Sequence, residues 1–211
     1  MNKEVFIEEC KKINIDITEE QLKLLDQFYH LMIEWNEKIN LTRIVEEQEV
    51  YLKHFYDSLT LNRVVDLNKT KTLCDVGTGA GFPGIVLKIV FPNLKITLID
   101  SLQKRVNYLN EVIRILDLKE IEAVHSRGEE YKGEFEVVTS RAVANIQTLV
   151  NYTMHLVSKD GVFIAMKGNI EEELTEEVKN KLKQKYNIIK IEEFTLPIEE
   201  SKRSFIMMKN K

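Results

Sequence analysis

Three glycines that alternate with small residues separate two apolar runs in this sequence. The stretch is LCDVGTGAGFPGIVLKIV, residues 73–90, in which the first apolar run ends at Asp75. Glycine permits positive backbone φ angles and the close approach of a ligand, and Pro83 suits the first turn of a following helix. The pattern predicts a strand, a loop and a helix. The loop could bind a dinucleotide or a nucleoside with a charged tail, or it could be a tight turn without a ligand.

Asp100 is the second residue with a spacing that indicates a ligand. It ends the next apolar run, 23 residues after Gly77, where an acid accepts hydrogen bonds from ribose hydroxyls. From Gly79 the sequence also matches G-x-G-x-x-G with Gly84 last, although glycine-rich loops supply that match often. Because nicotinamide dinucleotides and S-adenosylmethionine both carry a ribose, these residues indicate a nucleoside without naming it.

The elements that position these residues follow two different patterns along the chain. Residues 1–65 are predicted to form a helical arm, because Thr18 and Gln21 suit a capping box and apolar residues then recur at steps of three and four. A further amphipathic helix is predicted at 47–60. From Lys71 short β-rich runs alternate with helical runs, which is typical of a parallel sheet covered on both faces.

The predicted sheet has seven strands, the last two of which form an antiparallel hairpin because no helix separates them. The predicted strands are 71–77, 94–100, 121–126, 135–141, 161–168, 187–196 and 204–210. The predicted helices of this part are 83–91, 102–117, 145–157 and 170–185. The predicted domains are therefore a helical arm, 1–65, and an α/β domain, 66–211.

Composition excludes some classes of function. The net charge is −4, and residues 169–200, with nine acids and five lysines, account for all of it. A nucleic-acid partner would therefore need a local basic patch. No apolar run reaches the roughly 18 residues of a membrane span, and Cys10 and Cys74 suit a reducing cytoplasm. The four histidines and two cysteines show no metal-ligand spacing.

The length after the arm separates the two candidate cofactors. A dehydrogenase normally needs a second mononucleotide-binding half and a substrate domain, for which the 146 residues from 66 to 211 leave little room. A single sheet with a terminal hairpin resembles the class I S-adenosylmethionine-dependent methyltransferases. Their usual first motif, acid-x-G-x-G-x-G, is present as Asp75, Gly77, Gly79 and Gly81.

A closer resemblance covers essentially the whole chain. Seven motifs occur in the order NLT (40–42), KHFYDSL (53–59), DVGTGAGFPGI (75–85), LIDSLQKRVNYL (98–109), SRGEEY (126–131), TSRAVA (139–144) and AMKG (165–168). In this order they resemble the RsmG (GidB) family of bacterial 16S ribosomal RNA guanine-N7 methyltransferases. The resemblance implies a class I Rossmann-like methyltransferase fold, S-adenosylmethionine as cofactor, and 16S rRNA in the small ribosomal subunit as partner, without a membrane or a metal.

The resemblance also implies which residues form the site. Arg141 is the expected catalytic residue, fixing the methyl donor and hydrogen-bonding guanine or a phosphate. The expected cofactor-binding residues are Asp75, Gly77, Gly79, Gly81, Phe82, Asp100, Ser101, Leu102, Gly128, Glu129 and Arg141. The family usually has a small residue other than glycine at position 128, so a backbone contact is expected there. The expected RNA-binding residues are Asn40, Arg43, Lys53, His54, Lys104, Arg105 and Lys167.

The residues agree with methylation at N7. This chain has no Asn/Asp-Pro-Pro-aromatic motif, which amino-group adenine methyltransferases usually carry after the fourth strand. Neither cysteine is well placed as the nucleophile that carbon-5 pyrimidine methylation needs. Guanine N7 carries a lone pair and no proton, so its methylation needs no general base. A NAD-dependent oxidoreductase, a non-catalytic ribosome-assembly factor and a small-molecule methyltransferase are the alternative functions.

Overall fold

A seven-stranded sheet with helices on both faces forms the centre of the molecule. The computed structural model describes residues 1–141 and 144–211 of the chain. The strands are β1 Thr72–Val76, β2 Lys95–Asp100, β3 Ile121–His125, β4 Phe135–Arg141, β5 Val157–Lys167, β6 Tyr186–Thr195 and β7 Lys202–Asn210. The α-helices are α1 Lys3–Lys12, α2 Glu19–Ile39, α3 Glu47–Val50, α4 Asp57–Leu59, α5 Gly84–Val90, α6 Gln103–Ile115, α7 Ile146–Thr153 and α8 Glu176–Lys185. A π-helix spans Tyr51–Tyr56, and 3-10 helices span Thr60–Arg63 and Met154–Leu156.

The strand order confirms the predicted sheet. It is β3-β2-β1-β4-β5-β7-β6, and all neighbours are parallel except at β7, which is antiparallel to both β5 and β6. The predicted terminal hairpin is therefore confirmed as β6 and β7. The order reverses between β1 and β4, so the connections leaving their carboxyl ends diverge and leave a crevice, where such sheets bind ligands.

The N-terminal helices pack on the face of the sheet that carries α5 and α6. The capping box predicted at the start of α2 is present, since Thr18 Oγ1 accepts a hydrogen bond from Gln21 N and Gln21 Oε1 accepts one from Thr18 N. The apolar face of α2 buries Leu25, Phe28 and Met32, which belong to the same hydrophobic core as the side chains of α5. A domain boundary at residues 65 and 66 stays a prediction.

The segment predicted as one helix at 47–60 has a wider turn in its middle. The π-helix follows α3, and the N–H of Asp57 donates to the carbonyls of Leu52 and His54 rather than to that of Lys53. The carbonyl of Lys53 instead accepts a hydrogen bond from a side chain of β4, described below. Single π turns are frequent at functional sites, and this one faces the crevice.

Two predicted elements, a helix and a strand, have different bounds in the structure. The helix predicted at 170–185 begins only at Glu176, because Thr175 accepts a hydrogen bond from Val178 N and so ends the preceding turn. The strand predicted at 161–168 begins earlier, at Val157, where it pairs with Phe135. Within the described parts of the chain, no helix is long and apolar enough to cross a membrane.

Candidate active site

A cavity of about 620 Å³ opens at the carboxyl ends of β1, β2, β4 and β5. Its walls come from the glycine loop after β1, the ends of β4 and β5, the beginning of β7, and the π-helix of the arm. Seven charged side chains line it, of which five are cationic (Lys53, Arg105, Arg141, Lys167 and Arg203) and two are anionic (Asp57 and Asp100). The cavity is therefore locally basic although the whole chain is acidic.

The glycine loop has the backbone conformation that its sequence predicts. Gly77, Gly79 and Gly81 all have positive φ angles, of 73°, 60° and 95°. A Cβ atom at Gly79 would meet nothing closer than the Gly77 carbonyl at 4.0 Å, whereas one at Gly81 would lie 2.7 Å from Ile85 Cγ1. Gly79 therefore leaves open space beside the cavity, and Gly81 allows the loop to pack on α5.

Asp75 lies beneath this loop and is excluded from solvent. Its Oδ2 atom accepts hydrogen bonds from Thr78 Oγ1 at 2.7 Å and from Gly84 N at 2.9 Å. Its Oδ1 atom is buried and has no hydrogen-bond partner among the described residues. Burial raises the pKa of Asp75 to about 6. In this structure Asp75 organises the loop, and its direct contact with a cofactor stays a prediction.

Asp100 connects the glycine loop to the start of α6. Its Oδ2 atom accepts a hydrogen bond from Gly79 N at 3.0 Å, and its Oδ1 atom accepts one from Leu102 N at 2.9 Å. Arg105 Nη1 approaches Oδ2 at 3.4 Å. A carboxylate accepts about four hydrogen bonds, so Oδ1 keeps acceptor capacity for a hydroxyl group.

A shallower groove continues from the cavity past Asp100. The two share Gly77, Asp100 and Ser101, and the groove is lined further along by Gly128 and Glu129 after β3. A Cβ atom at position 128 would lie 2.8 Å from Val76 Cγ1 and 3.1 Å from the carbonyl oxygen of Tyr152, so only glycine fits there without a shift. The cavity and groove together form an elongated site that suits a nucleoside with a tail.

Arg141, at the end of β4, is held by the arm. Its Nη1 donates to the carbonyl of Lys53 and to Asp57 Oδ2, both at 3.0 Å, and its Nη2 lies 3.1 Å from His54 Nδ1. The guanidinium also lies 5.1 Å from the centre of the Phe82 ring, a distance at which a cation and an aromatic ring attract. Since the π-helix leaves the Lys53 carbonyl to this arginine, the arm and the sheet meet at Arg141.

His54 is a buried, neutral member of this cluster. Its ring stacks on Phe82 with centroids 4.3 Å apart, and its Nε2 lies 3.0 Å from Thr42 Oγ1. Burial is the largest cause of a pKa near 3 for His54, and the charge of Arg141 lowers it in the same direction. His54 and Asp57, three residues apart, both contact Arg141.

Asp57 and Arg203 are residues that sequence reasoning did not select. Asp57 is 5% exposed, and its Oδ1 accepts a hydrogen bond from Arg203 Nε at 2.8 Å while Oδ2 accepts one from Arg141. Asp57 therefore bridges two arginines that come from different strands. The position of Asp57 among apolar residues in KHFYDSL could have indicated a buried acid. Nothing in the sequence indicates that Asp57 pairs with Arg203.

The remaining predicted residues divide into two groups. Lys167 lines the cavity, donates to the carbonyl of Ala144 and pairs with Glu173 at 2.9 Å. Lys53, His54, Arg105, Phe82 and Ser101 also line it. The residues that line neither the cavity nor the groove are Asn40, Arg43, Leu102, Lys104, Asp75 and Gly81. Ala142 and Val143, in the TSRAVA motif, lie outside the described residues.

Comparisons with known proteins agree with this geometry. The family model of GidB, the rRNA small subunit methyltransferase G, matches residues 21–206. The ribosomal RNA small subunit methyltransferase G of Bacillus licheniformis is 43% identical over 99% of this chain and 90% of its own length. That of Lactobacillus helveticus is 46% identical over 99% of this chain and 91% of its own length.

A solved structure shows the same fold at much lower sequence identity. The ribosomal protein L11 methylase of Lactobacillus delbrueckii subsp. bulgaricus superposes with a TM-score of 0.57 at 16% identity, covering 79% of this chain and 80% of its own. The fold is therefore that of a class I methyltransferase. The sequence matches over nearly the full length of the chain show its family. The chain belongs to the GidB family of rRNA small subunit methyltransferases.

Proposed function

We propose that this protein transfers a methyl group from S-adenosylmethionine to N7 of one guanosine in the 16S rRNA of the small ribosomal subunit. Family membership supports the reaction class and the RNA. The observation that carries the proposal further is the site itself, where a glycine-loop groove for a nucleoside runs directly into a basic cavity.

Residues of the cavity and of the groove fit the cofactor. Gly79 leaves the open space that a closely approaching ligand needs. Asp100 keeps an acceptor position for a ribose hydroxyl, and the loop residues Gly128 and Glu129 line the groove beyond it, where the adenine edge would lie. When bound, S-adenosylmethionine supplies an electrophilic methyl group, which needs a lone pair on the acceptor.

The chemistry of the cavity favours an acceptor that has no proton to lose. His54 has both ring nitrogens engaged and a pKa near 3, so it is a poor general base near pH 7. Burial raises the pKa of both Cys10 and Cys74, which disfavours a thiolate nucleophile. Guanine N7 needs neither group, because alignment of the donor and the lone pair is sufficient.

Arg141 is the proposed catalytic residue. Three of its five N–H groups have partners among the described residues, which leaves Nε and one Nη2 hydrogen for a ligand. Its rigid fork matches an oxygen of guanine, a phosphate or the carboxylate of the cofactor. Its fixed position would orient the reacting groups without itself gaining or losing a proton.

The basic residues of the cavity support binding of RNA, and the cytoplasm is the proposed location of the reaction. Phosphate groups attract lysine and arginine regardless of base sequence, and five cations surround only two acids in the cavity. Lys53, His54, Arg105 and Lys167 are the proposed RNA contacts that line it, and Asn40, Arg43 and Lys104 are proposed contacts outside it. We also propose that the reaction uses no metal ion.

The experiment that tests this function uses labelled S-adenosylmethionine and small subunits from cells that lack the protein. Methyl transfer into RNA is followed, and the modified nucleoside is identified by mass spectrometry. 7-Methylguanosine at one site is the expected product. Binding of S-adenosylmethionine without transfer to subunits or free RNA would favour a non-catalytic assembly factor or a small-molecule acceptor, and binding of NAD instead would favour an oxidoreductase.

A further inference from the structure

A chain of three side chains in the cavity wall leads from Arg141 through His54 to Thr42. Arg141 Nη2 contacts His54 Nδ1 at 3.1 Å, and His54 Nε2 contacts Thr42 Oγ1 at 3.0 Å. Thr42 Oγ1 also accepts a hydrogen bond from Ile44 N at 3.1 Å. Thr42 lines the same cavity as Arg141 and His54, so the chain ends at the hydroxyl group of a residue that borders the ligand space.

The charge of Arg141 fixes the direction of every hydrogen bond in this chain. A guanidinium only donates, so His54 Nδ1 must present its lone pair to it. The ring is buried and neutral and therefore carries its single proton on Nε2. The opposite tautomer would donate from Nδ1 to the Lys53 carbonyl at 3.2 Å. In that tautomer the Nδ1–H of His54 would point at the Nη2–H of Arg141, and two donors would face each other.

The fixed tautomer makes Thr42 a hydrogen-bond donor. A hydroxyl has two lone pairs and one hydrogen, and both lone pairs accept here, one from His54 Nε2 and one from Ile44 N. No acceptor among the described residues takes the hydrogen. The backbone of Thr42 is held as well, since its N–H donates to Asn36 Oδ1 at 2.8 Å. Thr42 therefore offers the cavity a fixed donor and no acceptor.

We propose that Thr42 reads the six position of the target purine by donating its hydroxyl hydrogen to guanine O6. Guanine presents N7 and O6 as neighbouring acceptors, whereas adenine presents an amino group at the six position. N7 must stay unbonded to accept the methyl group, so O6 is the acceptor that remains for the protein. The amino group of adenine is itself a donor, and the Thr42 hydroxyl, whose lone pairs are both occupied, could not accept a hydrogen bond from it. This inference rests on the proposed methylation of guanine N7.

The test pairs a change in the protein with a change in the base. Thr42→Val removes the hydroxyl and keeps the shape of the side chain. Reconstituted subunits carry either guanine or 2-aminopurine at the target position, since 2-aminopurine keeps N7 and the 2-amino group but lacks O6. Inosine, which keeps O6 and lacks the 2-amino group, is the matched control base, and kcat/KM is measured for each.

We expect Thr42→Val to lower kcat/KM about tenfold more with guanine and with inosine than with 2-aminopurine. The smaller loss with 2-aminopurine measures the hydrogen bonds from His54 and Ile44 that the variant also lacks. Thr42→Ser restores the donor and should recover most of the lost rate. An equal loss on all three bases would show a structural disturbance and overturn the inference, as would no loss with guanine. If the unmodified protein makes no 7-methylguanosine, the proposed function itself fails.

Discussion

Arg141 has five N–H groups, and three of them are committed to the protein before any ligand binds. Their acceptors are a backbone carbonyl, a buried carboxylate and a neutral imidazole, all from the arm. Such a side chain loses little conformational entropy when it contacts a ligand, because its geometry is already fixed. Preorganised charge of this kind is a large contributor to catalysis.

Replacement of Arg141 tests this role. We expect Arg141→Ala to lower kcat/KM for methyl transfer at least 100-fold, about 2.7 kcal/mol of transition-state stabilisation. Arg141→Lys should recover little, since an ammonium cannot serve three separate acceptors in a fork. The matched control is Arg114→Ala, which removes an exposed arginine that pairs with Glu111. Activity within threefold of the unmodified protein in a folded Arg141→Ala variant would remove Arg141 from the mechanism.

Asp75 gives a prediction about pH and stability. Its pKa is about 6 in the folded protein, against 3.8 for an unperturbed aspartate, so between these values the folded state binds more protons than the unfolded state. The contribution of Asp75 to the free energy of unfolding therefore falls as pH rises through this window, by ~3 kcal/mol in total. Above the folded pKa the loss is complete.

Asp75→Asn should remove this dependence while keeping an oxygen for Thr78 and Gly84. Denaturant unfolding of both proteins from about pH 4 to pH 7 measures it. We expect the stability of the unmodified protein minus that of the variant to decrease as pH rises. A difference that stays constant across the window would show that the folded and unfolded pKa values of Asp75 are the same.

At the scale of elements, the sequence predicts regular structure well and irregular structure poorly. The alternation of β-rich and helical runs located all seven strands and the hairpin, because each strand is a short run rich in residues that favour β-structure. The π-helix was predicted as ordinary helix, since its apolar periodicity differs little from that of α-helix over six residues. The start of α8 was misplaced because the acids of 171–173 suit a helix, while the cap is at Thr175.

The loop between β6 and β7 reaches the edge of the cavity. Its Glu199 pairs with Lys53 of the π-helix at 3.1 Å, and Glu49 pairs with the same ammonium at 2.6 Å. These two carboxylates are the largest causes of the raised pKa of Lys53. An RNA phosphate that binds Lys53 must therefore compete with two acids of the protein.

Glu199→Gln should relieve part of that competition. We expect RNA to bind about twofold to fivefold more tightly at low salt, which is the range that one exposed ion pair contributes, and the gain should vanish at high salt. Glu200→Gln is the matched control, because Glu200 lies in the same loop and forms no ion pair with a described residue. Equal affinities of the two variants would remove Glu199 from RNA binding.

At the scale of the whole molecule, the distribution of charge matters more than its total. The net charge of −4 gave no support for a nucleic-acid partner, yet the cavity gathers residues from distant positions into a basic surface. The sequence motifs indicated Arg141, Asp100 and the glycine loop, because local spacing marks the carboxyl ends of strands. The contacts of Asp57 with Arg141 and Arg203 were not predictable, since they span 84 and 146 positions.

Ligand-linked stability distinguishes the proposed cofactor from its rival. S-adenosylmethionine at 100 times its dissociation constant should raise the free energy of unfolding by about 2.7 kcal/mol. For a chain of this length that corresponds to a rise in Tm of roughly 5 to 10 °C, measured by differential scanning fluorimetry. NAD at the same concentration should leave Tm unchanged. The reverse pattern would contradict the methyltransferase assignment.

The place of β7 inside the sheet has a consequence for how the protein is made. β7 follows every other described element in the chain, yet it lies between β5 and β6 and carries Arg203 to Asp57. Domains generally fold as units during synthesis. The seven-stranded sheet therefore cannot be completed before β7 has been synthesised. Asp57 cannot bridge Arg141 and Arg203 on a nascent chain that still lacks β7. The candidate active site is therefore incomplete until β7 has been synthesised.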